Sequence, residues 1–262
     1  MDKTLKQKLD YHYKAFDKSQ LEPDPLQFPH KFKNKKDIEL IAFISSIFAY
    51  GNIKQIINTL NKITFILGKH PTKYLIEKNK AAIKRDFKGI IHRFFTNEDI
   101  VNLILLLKIV YSNSNSLGDI FLSNYNQTEY NIKYALESFS KNMLELFQNL
   151  FGEEKVTQGI KFMFPLPSKG SVCKRMNLFL RWMVRKDELD FGLWDVIDKS
   201  KLIIPVDTHI ARICRKLKLT KMKNTNWNMA EEITDNLKKY DPDDPVKYDF
   251  AICHIGMRKL RF

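Results

Sequence analysis

The chain has 262 residues, with 44 Lys and Arg against 30 Asp and Glu, a formal charge of +14. An apolar share of 44% with 12% aromatic residues can fill the core of one or two domains. That composition excludes a disordered acidic tail, a collagen-like fibre or a low-complexity linker. Nine Gly and nine Pro are too few for a loop-rich all-β protein, and three scattered cysteines (Cys173, Cys214, Cys253) do not build a disulfide framework. A reducing cytoplasm is the expected compartment.

Met1–Phe16 alternates charge with apolar groups and lacks the hydrophobic stretch of a secretory signal. A helix is expected to open near Asp37, with Ile38, Ile41, Ala42, Ser45, Ser46 and Ala49 on one face. Gly51 and Asn52 break it, and Ile53, Ile56, Ile57, Leu60 and Ile63 begin another apolar stripe. Thr96 and Asp99 have the spacing of a capping box ahead of Ile100, Leu103, Ile104 and Leu107. The run Ile100–Tyr111, interrupted by Asn102 and Lys108, falls well short of the ~20 apolar residues that span a bilayer. A soluble protein is expected. Tyr130–Leu150 predicts a longer helix with Ala135, Phe139, Met143 and Leu146 inward.

After a loop at Phe164–Gly170, helices are predicted near Ser171–Arg185, Asp207–Leu217, Trp227–Lys239 and Pro245–Ile255, with Leu202–Val206 extended. The expected fold is all-α. The composition shift near Lys186 suggests a middle lobe over 37–186 and a second lobe from 1–36 plus 187–262.

Charge is uneven. Ser168–Lys186 carries six Lys or Arg and no acid, and Lys199–Lys223 carries eight with Asp207 among them. Such clusters attract phosphate backbones, since each neutralised phosphate releases condensed counterions; a lysine-rich surface that only maintains solubility is the plainer reading. A turn of the type Pro167-Ser168-Lys169-Gly170 opens the first of these helices, and backbone N–H groups at such a start can hold a phosphate. Lys174 lies in the first turn, as a solvated edge lysine or a functional amine, and Arg181 and Arg185 follow along roughly the same side. In the second segment Asp207 is placed as an N-cap. A carboxylate there stays ionised, because the helix dipole and N–H donors stabilise it, so it also suits a place beside developing positive charge. No His/Asp/Glu group has the spacing of metal ligands, and Gly-rich nucleotide loops are missing. No metal and no cofactor are expected.

Gly170-x-x-x-Lys174-x-x-Asn177 followed by Val206-Asp207-Thr208-His209 resembles the helix-hairpin-helix DNA glycosylase superfamily. Asp24–His30, Phe179–Asp187 and Asp244–Ala251 resemble a little-characterised bacterial branch grouped with those enzymes. The resemblance implies two helical lobes with a cleft between them, and a monomer acting on double-stranded DNA that contains a damaged base. It also implies a base-excision-repair N-glycosylase with AP lyase activity. Lys174 matches the nucleophilic lysine, and Asp207 matches the catalytic aspartate. The target base is rotated out of the duplex, since its sugar carbon is unreachable in the stack. A free amine on Lys174 would need a depressed pKa, expected from Lys169, Arg175, Arg181 and partial burial.

DNA contacts are expected from Lys169, Gly170, Ser171, Arg175, Arg181, His209 and Arg212, though His209 could equally be packed. Phe48, Tyr50, Asn52 and Trp182 are candidates for a base pocket or wedge, with core packing the alternative for the aromatics. The hairpin departs from the usual Leu-Pro-Gly-Val-Gly by placing Val172 at its second small position. The four-cysteine cluster of some members has no counterpart here. The long Lys174–Asp207 separation, with residues 187–202 inserted, is similar to archaeal 8-oxoguanine glycosylases and favours 8-oxoguanine over oxidised pyrimidines. A catalytically idle DNA- or RNA-binding protein is the alternative.

Overall fold

A computed structural model describes residues 4–113 and 116–257, with side chains as far as Cys253. Among them the α-helices are α1 (Leu5–Lys14), α2 (Lys35–Phe48), α3 (Ile53–Leu67), α4 (Pro71–Glu77), α5 (Lys80–Asp86), α6 (Asn97–Asn113), α7 (Leu117–Leu122), α8 (Lys133–Phe151), α9 (Gln158–Met163), α10 (Lys174–Val184), α11 (Thr208–Lys216), α12 (Trp227–Lys238) and α13 (Asp249–Met257). Short 3₁₀ turns join several of them. No strand forms among the described residues; the only pairings are isolated bridges, His92 with Phe95 and Lys186 with Phe191. The fold is all-α. No helix among these residues is long and apolar enough to cross a membrane.

Two compact units result. One comprises Leu21–Tyr125 and Ala135–Pro165; the other comprises residues 4–20, Asn126–Tyr134 and 166–257. The partition read from composition put residues 166–186 with the middle of the chain and 21–36 with its ends. The compact units group them the other way, because the helix after Gly170 packs with segments from both ends.

In the first unit α2 is the axis. Its side chains from Asp37 to Phe48 are buried, so it needs an apolar surface all round rather than one stripe. Its two buried acids are satisfied by neighbours. Asp37 accepts from the Thr72 amide (2.8 Å) and hydroxyl (2.6 Å) at the start of α4. Glu39 accepts from the Tyr111 hydroxyl (2.7 Å) and the amides of Leu117 (2.8 Å) and Gly118 (3.2 Å). The capping box predicted at Thr96 forms: Asp99 accepts from the Thr96 amide at 2.8 Å, and the Thr96 hydroxyl accepts from the Asp99 amide at 3.1 Å. In α8, Phe147 rather than Leu146 completes the inward face.

In the second unit, α13 packs against α1 and α11, and α12 packs on the turn Pro245–Tyr248. The predicted helix over Pro245–Ile255 thus begins as a 3₁₀ turn and becomes α-helical only at Asp249. The segment Leu202–Val206 is extended and buried, its Ile204 amide donating to the Thr234 hydroxyl at 3.1 Å. It runs straight into α11. Burial of Ile203, Ile204 and Val206 therefore fixes where Asp207 begins that helix.

Candidate functional site

Within this second unit two helix starts meet. Asp207 is the N-cap of α11, and its Oδ1 accepts from the amides of His209 (2.8 Å) and Ile210 (2.9 Å). Capping uses only one carboxylate oxygen. The other, Oδ2, lies 3.3 Å from Nζ of Lys174, the first residue of α10. The capping and site readings of Asp207 are thus both met by one side chain. Neither residue is sealed off: the side chains are 28% and 26% exposed.

The approach to Lys174 is built differently from the expectation. The helix predicted from Ser171 starts at Lys174, because Gly170 and Cys173 both adopt left-handed backbone, with φ of +77° and +50°. Gly170 is suited to that region, and a Cβ there would meet nothing within 4 Å. Cys173 is a buried non-glycine residue in the same region, an uncommon state held by its surroundings. Its amide donates to the Ser171 hydroxyl (3.2 Å) and its thiol to the Ser171 carbonyl (3.4 Å). The Asn177 amide nitrogen donates to the carbonyl of Val172 at 3.2 Å. Val172 thus occupies the departed position of the hairpin while its backbone is tied to α10. The other end of the Asn177 side chain, Oδ1, is buried with no hydrogen-bond partner among the described residues.

The ionisation of the pair also departs from expectation. Burial disfavours the Lys174 ammonium, but the Asp207 carboxylate, helped by Cys253 and Asp249, outweighs it and raises the lysine pKa. For Asp207, burial pushes upward, yet Lys174 and the two capping amides bring its pKa below the ordinary carboxylate value. The resting state is an ammonium–carboxylate pair, not the neutral amine expected from clustered cations. The reason is where those cations go.

Arg181 is only 3% exposed and turns to carboxylates: its Nη1 is 2.5 Å from Asp249 and its Nη2 is 3.2 Å from Asp190. Arg185, equally buried, pairs with Asp187 (2.9 Å), Asp244 (2.8 Å) and Asp190. Buried guanidinium groups must find acids, because an unpaired buried charge costs several kcal/mol. The expectation that Arg181 meets DNA phosphates is therefore corrected. Arg175 is also buried, at 5% exposure, and does not present its charge to solvent. Lys169, Gly170, His209 and Arg212 are exposed and Ser171 is half-buried. The exposure of His209 removes the packed alternative for it.

The wedge candidates divide as well. Trp182 is fully buried, as are Trp194 and Trp227, so none stacks on an extruded base in this conformation. In the other unit Phe48 is fully buried, edge-on to His92 (5.3 Å) and Phe95 (5.8 Å), and cannot intercalate. Tyr50 is half-buried, its ring covered by the Arg93 guanidinium at 5.0 Å and packed near Phe94 and Phe162. Asn52 caps α3 by accepting from the Lys54 amide at 2.9 Å.

Asp249 and Cys253 were missed as neighbours of Lys174. A legible signal existed: Arg181 lies between Leu180 and Trp182 in α10, where its charge demands a buried acid, and Asp249 opens another largely apolar helix. Among the described residues, Cys173, Cys214 and Cys253 form no disulfide, and burial pushes the Cys214 thiol up to about 12. Among the described residues no group of three or more His, Cys, Asp or Glu is arranged to hold a metal ion.

Residues 24–258 match the sequence model of a family described as a protein of unknown function, DUF2400, and the chain belongs to that family. No curated protein and no solved structure matches it.

Proposed function

We propose that this member of the DUF2400 family is a base-excision-repair DNA glycosylase with AP lyase activity, using Lys174 as nucleophile and Asp207 as its carboxylate partner. One observation carries the reading: two residues far apart in the chain, each at a helix start, place Nζ and Oδ2 3.3 Å apart with both side chains partly exposed. In this mechanism Asp207 takes the ammonium proton as the sugar binds, and the freed amine attacks C1′. The C1′–base bond breaks, and the base leaves with the bonding pair and takes the proton held by Asp207. A further proton passes from the attacking nitrogen to the ring oxygen as the C1′–O4′ bond opens, giving an iminium ion. Removal of a C2′ proton then expels the 3′ phosphate. Once that proton has passed to the base, the restored Asp207 carboxylate stabilises positive charge on the sugar, an effect of the fixed-dipole kind that lowers barriers most where water is excluded.

DNA is held, on this reading, by Lys169, Gly170, Ser171, His209 and Arg212, aided by exposed Lys216, Lys218, Lys221 and Lys223 on the same stretch. The proposed substrate is an oxidised base in duplex DNA, 8-oxoguanine favoured, with the protein acting as a cytoplasmic monomer that associates with the nucleoid. One observation favours the idle-binder alternative: Lys174 rests as an ammonium held by its partner.

Borohydride trapping on duplexes carrying 8-oxoguanine, thymine glycol or an abasic site separates the two. A covalent adduct formed by the wild type and lost in Lys174→Gln supports the enzyme and ranks the substrates. Equal DNA binding by both proteins with no adduct on any lesion establishes the idle binder instead.

A further inference from the structure

In the first unit a tight turn carries two large side chains where small ones are the rule. The His92 amide donates to the Phe95 carbonyl at 3.2 Å and the Phe95 amide to the His92 carbonyl at 2.9 Å, which leaves Arg93 and Phe94 at the tip. Two-residue turns of this kind favour Gly, Asn or Asp. Arg93 instead holds left-handed backbone, with φ of +55°. Its neighbours fix it there. His92 is buried; the Tyr50 carbonyl can only accept, so the His92 Nε2 donates to it at 3.3 Å, and Nδ1 lies 3.0 Å from the Thr59 hydroxyl. Phe95 is buried as well, and the Tyr50 hydroxyl donates back to the His92 carbonyl at 3.3 Å. Strained backbone held in this way by its surroundings clusters at ligand sites.

The tip presents a ring and a guanidinium. Phe94 is 48% exposed and Phe162 is 39% exposed. Their ring centroids are 4.8 Å apart, and that of Tyr50 is 5.3 Å from the first and 5.1 Å from the second. The Arg93 side chain covers Tyr50 and passes over Gly51, where a Cβ would meet its Nη1 at 2.6 Å. Arg93 is exposed and makes no ion pair among the described residues.

Charge around the tip has one sign. Residues 40–76, 87–97 and 155–165, which supply the patch, contain no Asp or Glu, and Lys54 and Lys161 are exposed on these segments. The next acids along the chain are engaged: Glu98 pairs with Lys155 at 2.8 Å, and buried Asp99 accepts from the hydroxyls of Thr96 and Thr157. An exposed ring beside a guanidinium without a carboxylate fits a nucleobase and its phosphate, because every base has a face to stack and every phosphate a charge to meet. An apolar peptide would use the rings but not the cations.

We propose that the Arg93–Phe94 tip, backed by Tyr50 and Phe162, binds an unpaired nucleotide, its base stacked on Phe94 and its phosphate held by Arg93. This goes beyond the excision reading, since it needs no chemistry at Lys174 and applies equally to an idle binder.

Anisotropy titrations of the full chain with labelled oligothymidylate, oligouridylate and an intact duplex test the site. Phe94→Ala is expected to weaken single-strand binding about tenfold and to lower the ratio of single-strand to duplex affinity by the same factor, since duplex bases are already stacked. A loss on either single strand supports the site and names its nucleic acid. Arg93→Gly relieves the left-handed backbone while removing the charge, so Tm should hold or rise while the salt slope for oligothymidylate falls by about 0.7. Phe94→Trp should keep the affinity; the three native tryptophans are buried, so its new indole reports stacking by quenching.

Unchanged single-strand affinity in Phe94→Ala, or equal losses on single strand and duplex, overturns the proposal. So does a dimer in sedimentation that Phe94→Ala dissolves without changing single-strand affinity, which makes the patch a self-contact. Trapping is read separately: no adduct removes the enzyme and leaves this site standing, whereas an unmoved Phe94→Ala affinity removes the site and leaves the enzyme.

Discussion

Replacing Asp207 by Ala and by Asn separates its two jobs. Its Oδ1 accepts two backbone N–H groups at the start of α11, and loss of such a cap costs about 1 kcal/mol, within a range of roughly 0.5–2. Its Oδ2 meets Lys174 with about a quarter of each side chain still exposed, so the ion pair adds no more than about 1 kcal/mol. Asp207→Ala is therefore expected to destabilise by roughly 1–3 kcal/mol, a fall in Tm of about 3–10 °C for a chain of this size. Asparagine caps as well as aspartate does, so Asp207→Asn should lose less than about 1 kcal/mol.

Function should sort the other way. Both variants lack the carboxylate, and both should trap abasic DNA at least ~100-fold more slowly than the wild type. In Asp207→Asn the lysine also loses its strongest stabilising charge while burial remains, so its pKa falls and more amine is present at neutral pH. A slow variant with more free amine shows that the carboxylate acts in the reaction and does not merely hold a proton on Lys174. Thermal denaturation and single-turnover trapping, run on the same preparations, check both halves. Equal losses of stability in Asn and Ala would refute the capping argument, and undiminished trapping in Asp207→Asn would refute the catalytic one.

The glycines give a second contrast, read by urea denaturation. Gly170→Ala pays only for a left-handed backbone, about 1 kcal/mol, because its Cβ enters open space. Gly192→Ala should cost more, since its Cβ would sit 2.6 Å from Cβ of Lys186 in a similarly left-handed turn. Tyr111→Phe should destabilise by about 1–3 kcal/mol, because Glu39 is buried and loses the Tyr111 hydroxyl as a donor; a loss under 0.5 kcal/mol would contradict that accounting. Burial lifts the folded-state pKa of Asp249 to about 6 from 3.8, so the native state binds the extra proton between those values. Its stabilising contribution is complete below about pH 3.8 and is lost as pH rises through 6. Relative to the wild type, Asp249→Asn should thus gain roughly 2–3 kcal/mol between pH 4 and pH 7. Denaturant titrations at the two pH values that show a constant difference would disprove the assignment.

Local rules explain what could be read from the residues alone. Periodicity placed α2, α3, α6 and α8, because an apolar stripe repeats every three to four positions whatever it packs against. Asp207 after an X-Pro-Val approach and Asp99 after Thr96 were legible as caps, since a cap is an interaction within three residues. Short helices such as α4, α5 and α9 were not anticipated; with six or seven residues each, they depend on tertiary packing more than on propensity.

Tertiary structure alone decided the fate of the charges. An arginine side chain reaches whichever carboxylates burial brings near, and for Arg181 these are Asp190 and, 68 positions away, Asp249. No spacing rule spans that distance, so Arg181 reads as a phosphate ligand until folding encloses it. The same holds for Lys174. Its residue type announced an amine, but only the approach of the Asp207 carboxylate made that amine a partnered ammonium.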